Sequence, residues 1–253
     1  MNATFTGLEL RRVLRDYVSM FFIAVLPAFF YLIFGAAQEF GREDAGNGNV
    51  TMHVMISMAA YGAVTATTGI GGMAAVERMQ GWGRQLGLTP LRDSGFVLMK
   101  AVVAVVVAAI PITLIYLLGV LTGAEGSGGA WLLSALIVLA GAAVFALYGL
   151  AFGLALRSEA AVGAASGSLV ILAFMGNIFF PLSGTLLTLA KFTPLYGYAS
   201  LARYPLTEGY LFNTSDGTVT HEALWVPVVN VSVWAVILAL LATWLVRRGR
   251  ARQ

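Results

Sequence analysis

Residue types that usually carry enzyme chemistry are sparse in this sequence. It has no Cys, which excludes thiolate metal sites and Cys nucleophiles, and only two His, His53 and His221, which we interpret as surface or interfacial residues rather than ligands. The two lysines, Lys100 and Lys191, follow Met and Ala rather than Gly, so neither belongs to a phosphate-binding P-loop. The sequence therefore predicts no catalytic residue, no metal site and no enzyme activity of the chain on its own.

One sequence pattern raises the question of a copper site. Met52, Met55 and Met58 recur at every third position beside His53. Thioether sulfurs suit Cu(I), but Met also fills irregular gaps between packed helices. We favour the packing interpretation.

A charged stretch with interspersed apolar residues is the most informative motif. Residues 77–91 read ERMQGWGRQLGLTPL, and a short helix there would place Trp82 and Leu86 on one face, four residues apart. Exposed apolar side chains on a short loop favour docking to a partner protein. The alternative is that Trp82 anchors at the level of the lipid headgroups.

Composition identifies the elements that must hold this loop. Hydrophobic residues make up 59% of the 253 and charged residues 11%, against about a quarter in soluble domains, and the mean hydropathy is +0.84. Six segments without Asp, Glu, Lys or Arg reach the length of about 20 residues that crosses a bilayer. They are 18–37, 52–76, 101–122, 130–156, 160–182 and 224–246. The predicted fold is all-α, with six transmembrane helices in a single domain spanning 1–253.

The basic residues predict the orientation. With a cytoplasmic N-terminus, the inner segments hold 12 of the 15 Lys and Arg, and the outer ones only Arg42, Lys191 and Arg203. This predicts a multi-pass protein of the cell membrane with both termini in the cytoplasm and 77–91 on that side. A net charge of +3 gives no indication of nucleic-acid binding.

An amphipathic pattern precedes the first span. Leu10, Val13, Leu14, Tyr17 and Val18 share one face of a helix over 4–17, and three arginines lie off that face. Such a helix can lie in the cytoplasmic membrane interface. The alternative is that the first span simply begins early.

The loop resembles the first cytoplasmic loop of type-2 exporter permeases, the membrane subunits of one class of ATP-binding cassette transporters. That loop reads approximately E-R-x-x-G-T-x-x-x-L-x-x-T-P-L. The matching residues here are Glu77, Arg78, Gly81, Leu86, Thr89, Pro90 and Leu91. Trp82 replaces the usual Thr, and Arg84 stands where an acid is common. The resemblance implies that these nine residues form a coupling helix that contacts an ATPase subunit.

A second similarity follows the fifth predicted span, where the family has F-F-P and later T-P-L-x-Y. Here they are Phe179 to Pro181 and Thr193 to Tyr196. Prolines at these places predict short broken, external or re-entrant helices within 183–222. The resemblance further implies a complex with two ATPase subunits, which bind ATP and Mg, and with a second copy of the chain or a related permease.

Spans two and five are our candidates for a substrate path, because in the resembled family both lie near the translocation route. The candidate residues are Tyr61, Thr65, Thr68, Phe174, Asn177, Phe179 and Phe180. Asn177 could instead make only an interhelical hydrogen bond. An aromatic path with hydroxyls suits amphiphilic drugs, lipids or lipid-linked molecules better than ions, as in multidrug efflux.

Two other functional classes stay open from the sequence. Ion-driven secondary transporters usually carry ionisable groups within the bilayer, and channels carry charged rings or a filter motif. Neither feature is present in the six predicted spans. A non-transporting membrane scaffold or sensor subunit is the third possibility. An exporter subunit driven by a separate ATPase is our leading interpretation.

Overall fold

The computed structural model describes residues 3–77, 80, 93–156, 158, 160–212 and 219–250. These residues form nine helices, numbered here in chain order. They are α1 (Ala3–Arg15), α2 (Tyr17–Ala36), α3 (Val50–Glu77), α4 (Asp93–Thr122), α5 (Gly128–Leu156), α6 (Ala160–Met175), α7 (Gly184–Ala190), α8 (Pro194–Thr207) and α9 (Trp225–Arg250). A short antiparallel hairpin, β1 (Tyr210–Phe212) and β2 (Val219–His221), pairs Tyr210 with His221.

Five helices in the described part of the chain are long and apolar enough to cross a membrane: α2, α3, α4, α5 and α9. The chain is therefore an integral membrane protein, and five of the six predicted spans correspond to helices of sufficient length. The remaining one, predicted over 160–182, contains α6, which has 16 residues. At 1.5 Å per residue α6 is about 24 Å long, less than the hydrocarbon thickness of about 30 Å. Its crossing of the bilayer stays a prediction.

The first span and the helix before it are separate elements. Asp16 interrupts them, and its carboxylate accepts hydrogen bonds from the backbone N–H and the hydroxyl of Ser19 at the start of α2. These hydrogen bonds lower the pKa of Asp16, since they stabilise the charged form. On α1, Leu10 and Val13 pack against the bundle. The structure thus ends α1 at Arg15, two residues before the predicted boundary.

α3 lies at the centre of the bundle. In its most apolar stretch 89% of the residues are buried, compared with 11% for α9. α3 and α5 run parallel and in close contact. The distance between them is so short that a side chain on Gly149 would overlap the Thr68 carbonyl, and one on Gly153 would meet Ala75. A G-x-x-x-G spacing such as that of Gly149 and Gly153 is typical of close helix approach in membranes, and here the approach is made between these two helices.

A second glycine pair behaves differently. The sequence predicts close helix approach at Gly163-x-x-x-Gly167 as well. Within the described residues, nothing lies within 4 Å of the Cβ position at either glycine, both of which are on the exposed face of α6. This pair therefore makes no close helix contact in the described chain.

The end of the bundle opposite Glu77 is held by two asparagines, which we call the asparagine clasp (Asn47 and Asn49). Asn49 donates from its amide to the carbonyl of Gly123 at 2.8 Å, and its side-chain oxygen accepts from the N–H of Glu125 at 3.1 Å. The backbone N–H of Asn47 donates to the carbonyl of Leu206 at 2.7 Å. The clasp joins the α2–α3 loop, the α4–α5 turn and the end of α8.

The break after α6 occurs earlier than the predicted one. The sequence places the end of the fifth span at Leu182, with Pro181 as the interrupting residue. The helix ends at Met175, and Asn177 adopts a left-handed conformation with φ of 58°. Its side-chain oxygen accepts from the N–H of Leu182 at 2.7 Å, so the amide fixes the turn. Asn is one of the few residues that tolerate this conformation.

The T-P-L-x-Y segment begins α8. The hydroxyl of Thr193 accepts from the N–H of Tyr196, and Pro194 occupies the first helical position, where no backbone donor is needed. Leu195, Tyr198 and most other side chains of α8 are buried. The segment 183–222 therefore contains a buried helix, a short helix and the hairpin; its external or re-entrant position stays a prediction.

Candidate functional site

Four charged side chains meet where α1, α3 and α4 converge, and we call them the ion cluster (Glu9, Arg12, Glu77 and Lys100). The Glu77 carboxylate contacts Lys100 Nζ at 2.6 Å through one oxygen and Arg12 Nη1 at 2.6 Å through the other. Lys100 also pairs with Glu9. The side chain of Glu77 is 5% exposed and that of Lys100 is 9% exposed. Charges buried to this degree are stable only when paired, so the cluster ties the three helices together.

This cluster lies at the base of the predicted coupling helix. Glu77 is the last residue of α3 and the first residue of the loop motif. The other predicted contact residues lie outside the described residues: Arg78, Gly81, Trp82, Arg84, Leu86, Thr89, Pro90 and Leu91. Their contacts with an ATPase subunit stay a prediction. Among the nine, the structure describes Glu77, whose carboxylate is paired within the chain.

Six aromatic side chains from α2, α3, α6 and the segment after α6 form a second group, the aromatic cluster. Its members are Phe30, Phe34, Tyr61, Phe174, Phe179 and Phe180. At its centre the Phe179 ring lies 5.1 Å from Tyr61, 5.0 Å from Phe174 and 5.8 Å from Phe30, all edge-on. Phe174 and Phe180 stack at 6.2 Å. Edge-on and offset contacts at these distances are favourable.

The aromatic cluster has an exposed side. Phe174 is 48% exposed and Phe180 is 53% exposed, whereas Tyr61 is 6% exposed. Four of the predicted path residues lie together in this cluster: Tyr61, Phe174, Phe179 and Phe180. Their role in a substrate path stays a prediction. Sequence reasoning missed Phe30 and Phe34 on the first span. The run Phe29, Phe30 and Phe34, in which the last two are four positions apart, was the available signal.

The remaining candidates are placed differently. The Thr68 hydroxyl is buried and donates to the carbonyl of Phe145 on α5, so it serves helix packing. Thr65 is half-buried and donates to the carbonyl of Tyr61 one turn earlier. The side-chain oxygen of Asn177 accepts from the Leu182 N–H and so fixes the turn after α6. A role in a substrate path or in an interhelical hydrogen bond stays a prediction.

Arg203 on α8 is the functional candidate that sequence reasoning missed. It is 2% exposed, and its Nη1 donates to the Asn177 carbonyl at 2.7 Å and to the Ser57 hydroxyl at 3.3 Å. The same nitrogen lies 3.4 Å from Nε2 of His53. His53 is therefore half-buried against a guanidinium rather than at the surface. The signal was the position of Arg203 on the buried stripe of α8, eight residues after Leu195 and four after Ala199.

A second buried ionic group lies nearby. Glu222 is 5% exposed and accepts hydrogen bonds from Tyr196 at 3.0 Å and Ser200 at 2.9 Å, and it pairs with Lys191 at 3.0 Å. Burial, and after it the charge of Glu222, raise the pKa of Tyr196 above its usual value of 10.0. The phenol therefore stays a hydrogen-bond donor.

The methionine pattern proves to be a packing feature. Met52, Met55 and Met58 are fully buried. The sulfur of Met55 occupies the space that a side chain on Gly119 would need, and that of Met52 does the same at Gly126. The thioethers therefore fill contacts between helices.

Comparison with known proteins gives one informative similarity. Over 197 residues the chain is 26% identical to YvfS of Bacillus subtilis (strain 168), a protein named as a transport permease. The match covers 76% of this chain and 80% of that protein. No protein-family model matches the chain. The chain is thus similar, over most of its length, to a protein named for membrane transport.

Proposed function

We propose that this chain is the membrane-spanning subunit of an ATP-binding cassette exporter. It would move an amphiphilic or hydrophobic substrate, such as a drug, a lipid or a lipid-linked molecule, out of the cytoplasm. A separate ATPase subunit would bind ATP and Mg and hydrolyse the nucleotide. The loop motif at 77–91 and the similarity to a protein named as a transport permease support this proposal.

The observation that carries the proposal is the ion cluster at the base of the loop. A motor that pushes on residues 78–91 acts first on the ends of α3 and α4, which flank the loop. Since Glu77 is paired with Lys100 of α4 and Arg12 of α1, the three helix ends move together rather than separately. A loop anchored in this way can pass a displacement to α3, the central helix of the bundle.

The aromatic cluster is the proposed contact for substrate. It includes Tyr61 of α3, so a movement of the central helix changes the geometry of the cluster. Its exposed rings, Phe174 and Phe180, offer apolar area without a fixed polar partner. Such a surface accepts apolar groups of varied shape.

Assembly and orientation complete the proposal. Transport would require a second copy of the chain, or a related permease, and two ATPase subunits. Both termini and the loop would face the cytoplasm, as the distribution of basic residues predicts.

The test is co-expression with the gene adjacent on the chromosome, followed by purification. We expect a P-loop ATPase to co-purify and its ATP hydrolysis to drive export. Replacing residues 81–86 with a Gly/Ser linker should abolish export and the stimulation of ATP hydrolysis, while membrane insertion is retained. The matched control replaces 213–218, a segment of equal length on the side predicted to lie outside, and should keep both activities.

Three outcomes would contradict the proposal. Unchanged export after replacement of 81–86 would overturn the role of the loop. Transport that continues without any ATPase subunit would favour a secondary transporter or channel, and a chain that binds partners without moving any substrate would favour a scaffold or sensor.

A further inference from the structure

The guanidinium of Arg203 has N–H donors for which the described residues supply no acceptor. All three of its described polar contacts, with Asn177, Ser57 and His53, are made by Nη1. Nη2 is buried and has no hydrogen-bond partner among the residues that the structure describes. Each guanidinium nitrogen of this kind carries two N–H donors, and leaving buried donors unpaired is costly. An acceptor on the unpartnered side of the guanidinium would satisfy Nη2.

Arg203 also forms no salt bridge within the described chain. No described carboxylate lies within 4.0 Å of it, and the nearby buried acid Glu222 is engaged by Lys191, Tyr196 and Ser200. Buried guanidinium groups in proteins are normally paired with carboxylate or phosphate, which they bind through two parallel hydrogen bonds. A ligand that supplies such an anion would satisfy both the charge and Nη2.

The position of Arg203 relates this cation to the aromatic cluster. The carbonyl that Nη1 binds belongs to Asn177, which lies in the chain between Phe174 and Phe179. Ser57 precedes Tyr61 of the aromatic cluster by one helical turn on α3. His53 of α3 and Asn177 after α6 both contact the guanidinium, and both residues are half-buried. The chain thus presents a buried cation next to a partly exposed aromatic surface.

We propose that Arg203, flanked by His53 and Ser57, binds the anionic phosphate or carboxylate group of an amphiphile whose apolar part lies on the aromatic cluster. This deepens the proposed function, because it rests on that function in naming the amphiphile as the substrate. The binding itself requires neither ATP nor a partner subunit.

The alternative role of Arg203 is purely structural. Its bond to the Asn177 carbonyl satisfies an acceptor beyond the end of α6, and a cation is favourable at a helix C-terminus. That role requires no ligand and predicts no preference for anions. The two roles therefore predict different results when the binding of anionic and uncharged amphiphiles is compared.

The experiment uses the full chain purified in an uncharged maltoside detergent. Thermal unfolding is followed during titration with dodecyl phosphate, with dodecanol, and with inorganic phosphate. We expect a saturable rise of the melting temperature with dodecyl phosphate, little effect of dodecanol, and weaker binding of inorganic phosphate because it lacks the apolar chain. Loss of two charge-assisted hydrogen bonds should lower the affinity of R203Q for dodecyl phosphate by about tenfold or more. R203K should bind with intermediate affinity, since an ammonium lacks the planar fork.

The matched control is R42Q, which removes the same charge from an exposed position. Arg42 lies on the same predicted outer side of the membrane as Arg203. It should bind dodecyl phosphate as the unmodified chain does. Equal affinity of R203Q and the unmodified chain would overturn the proposal. If R203Q does not fold, the unmodified chain still decides, because equal stabilisation by dodecyl phosphate and dodecanol would show that the charge plays no part.

A further arm separates the two sources of the anion. Phosphatidylglycerol added to the same assay competes with dodecyl phosphate if a membrane lipid headgroup occupies the site, and does not compete if the site accepts only smaller amphiphiles; either result supports an anion site. Because no ATPase is present, failure here leaves the proposed export function to its own test. Failure of co-purification with an ATPase would likewise leave a measured preference for the anion unchanged.

Discussion

At the scale of single residues, removing one charge from the ion cluster should lower the free energy of unfolding more than removing an exposed charge does. Lys100→Met would leave the buried Glu77 with Arg12 as its cation and remove the closer of the two cations that contact Glu9. We expect a loss of about 3–5 kcal/mol in unfolding free energy, the usual result of breaking a buried ion pair. Thermal unfolding of the purified chain measures it.

Two further variants make that prediction specific. Adding Glu77→Gln to Lys100→Met should recover part of the loss, because it removes one of the carboxylates left behind. Arg11→Met, on the exposed side of α1, should leave the melting temperature unchanged. A Lys100→Met melting temperature equal to that of Arg11→Met would contradict the pairing.

A glycine on α5 offers a second prediction at this scale. Gly149→Ala would place a methyl group against the Thr68 carbonyl, and α3 and α5 would have to separate. Overpacking of this kind costs about 1–3 kcal/mol. The same substitution at Gly163, where nothing lies within 4 Å, is the control and should be neutral in thermal unfolding. Equal melting temperatures for both variants would show that the two helices tolerate wider separation.

At the scale of elements, the end of α6 depends on one backbone conformation. Asn177→Ala combines the penalty of about 1–2 kcal/mol for a left-handed residue with the loss of the bond to the Leu182 N–H. Asn177→Gly loses the bond but adopts the conformation freely. We expect the Ala variant to unfold at the lower temperature. An equal or lower melting temperature of the Gly variant would contradict a cost of the left-handed conformation, because both variants lose the same hydrogen bond.

The break after α6 illustrates what sequence can and cannot predict for an element. Length and apolarity predict a helix from residue 160, because burial in lipid depends on composition. They do not predict its end, because Asn177 is compatible with a helix and is held in its turn by Leu182 and Arg203, which come from later in the chain. α8 was predicted only as part of a mixed segment, since a helix buried on most sides lacks a polar face.

At the scale of the whole molecule, the absence of Cys allows a direct test of topology. Single cysteines at exposed positions, Thr4, Ser158, Glu39, Gly128 and Thr185, can be labelled in intact cells with a membrane-impermeant maleimide. We expect Glu39→Cys, Gly128→Cys and Thr185→Cys to react directly. Thr4→Cys and Ser158→Cys should react only after permeabilisation, because their flanking segments carry the basic residues.

The pair that brackets α6 has particular value in that experiment. Ser158 and Thr185 on opposite sides would show that α6 and the turn after it cross the bilayer. Labelling of both from the same side would leave five spans and place the C-terminus opposite to our prediction.

The candidate site was predictable only in part at this scale. Aromatic residues on the second and fifth predicted spans, including Tyr61 and Phe179, could be nominated because both spans are recognisable from hydropathy. The burial of Arg203 could not, because it arises from packing between α8 and α3, which are separated by more than a hundred residues in the chain. Charge counting placed Arg203 in an outer loop, whereas in the structure it is an interior residue.

The asparagine clasp gives the molecule a mechanical asymmetry. Its hydrogen bonds join several helix ends at one end of the bundle. We expect this end to stay fixed when the helices tilt and the opposite end to move. α3 has 28 residues and is about 42 Å long at 1.5 Å per residue, so a tilt of about 10° around the clasp displaces its far end by about 7 Å. We expect the largest displacement at the ion cluster, because the helices would tilt about the asparagine clasp at the other end of the bundle.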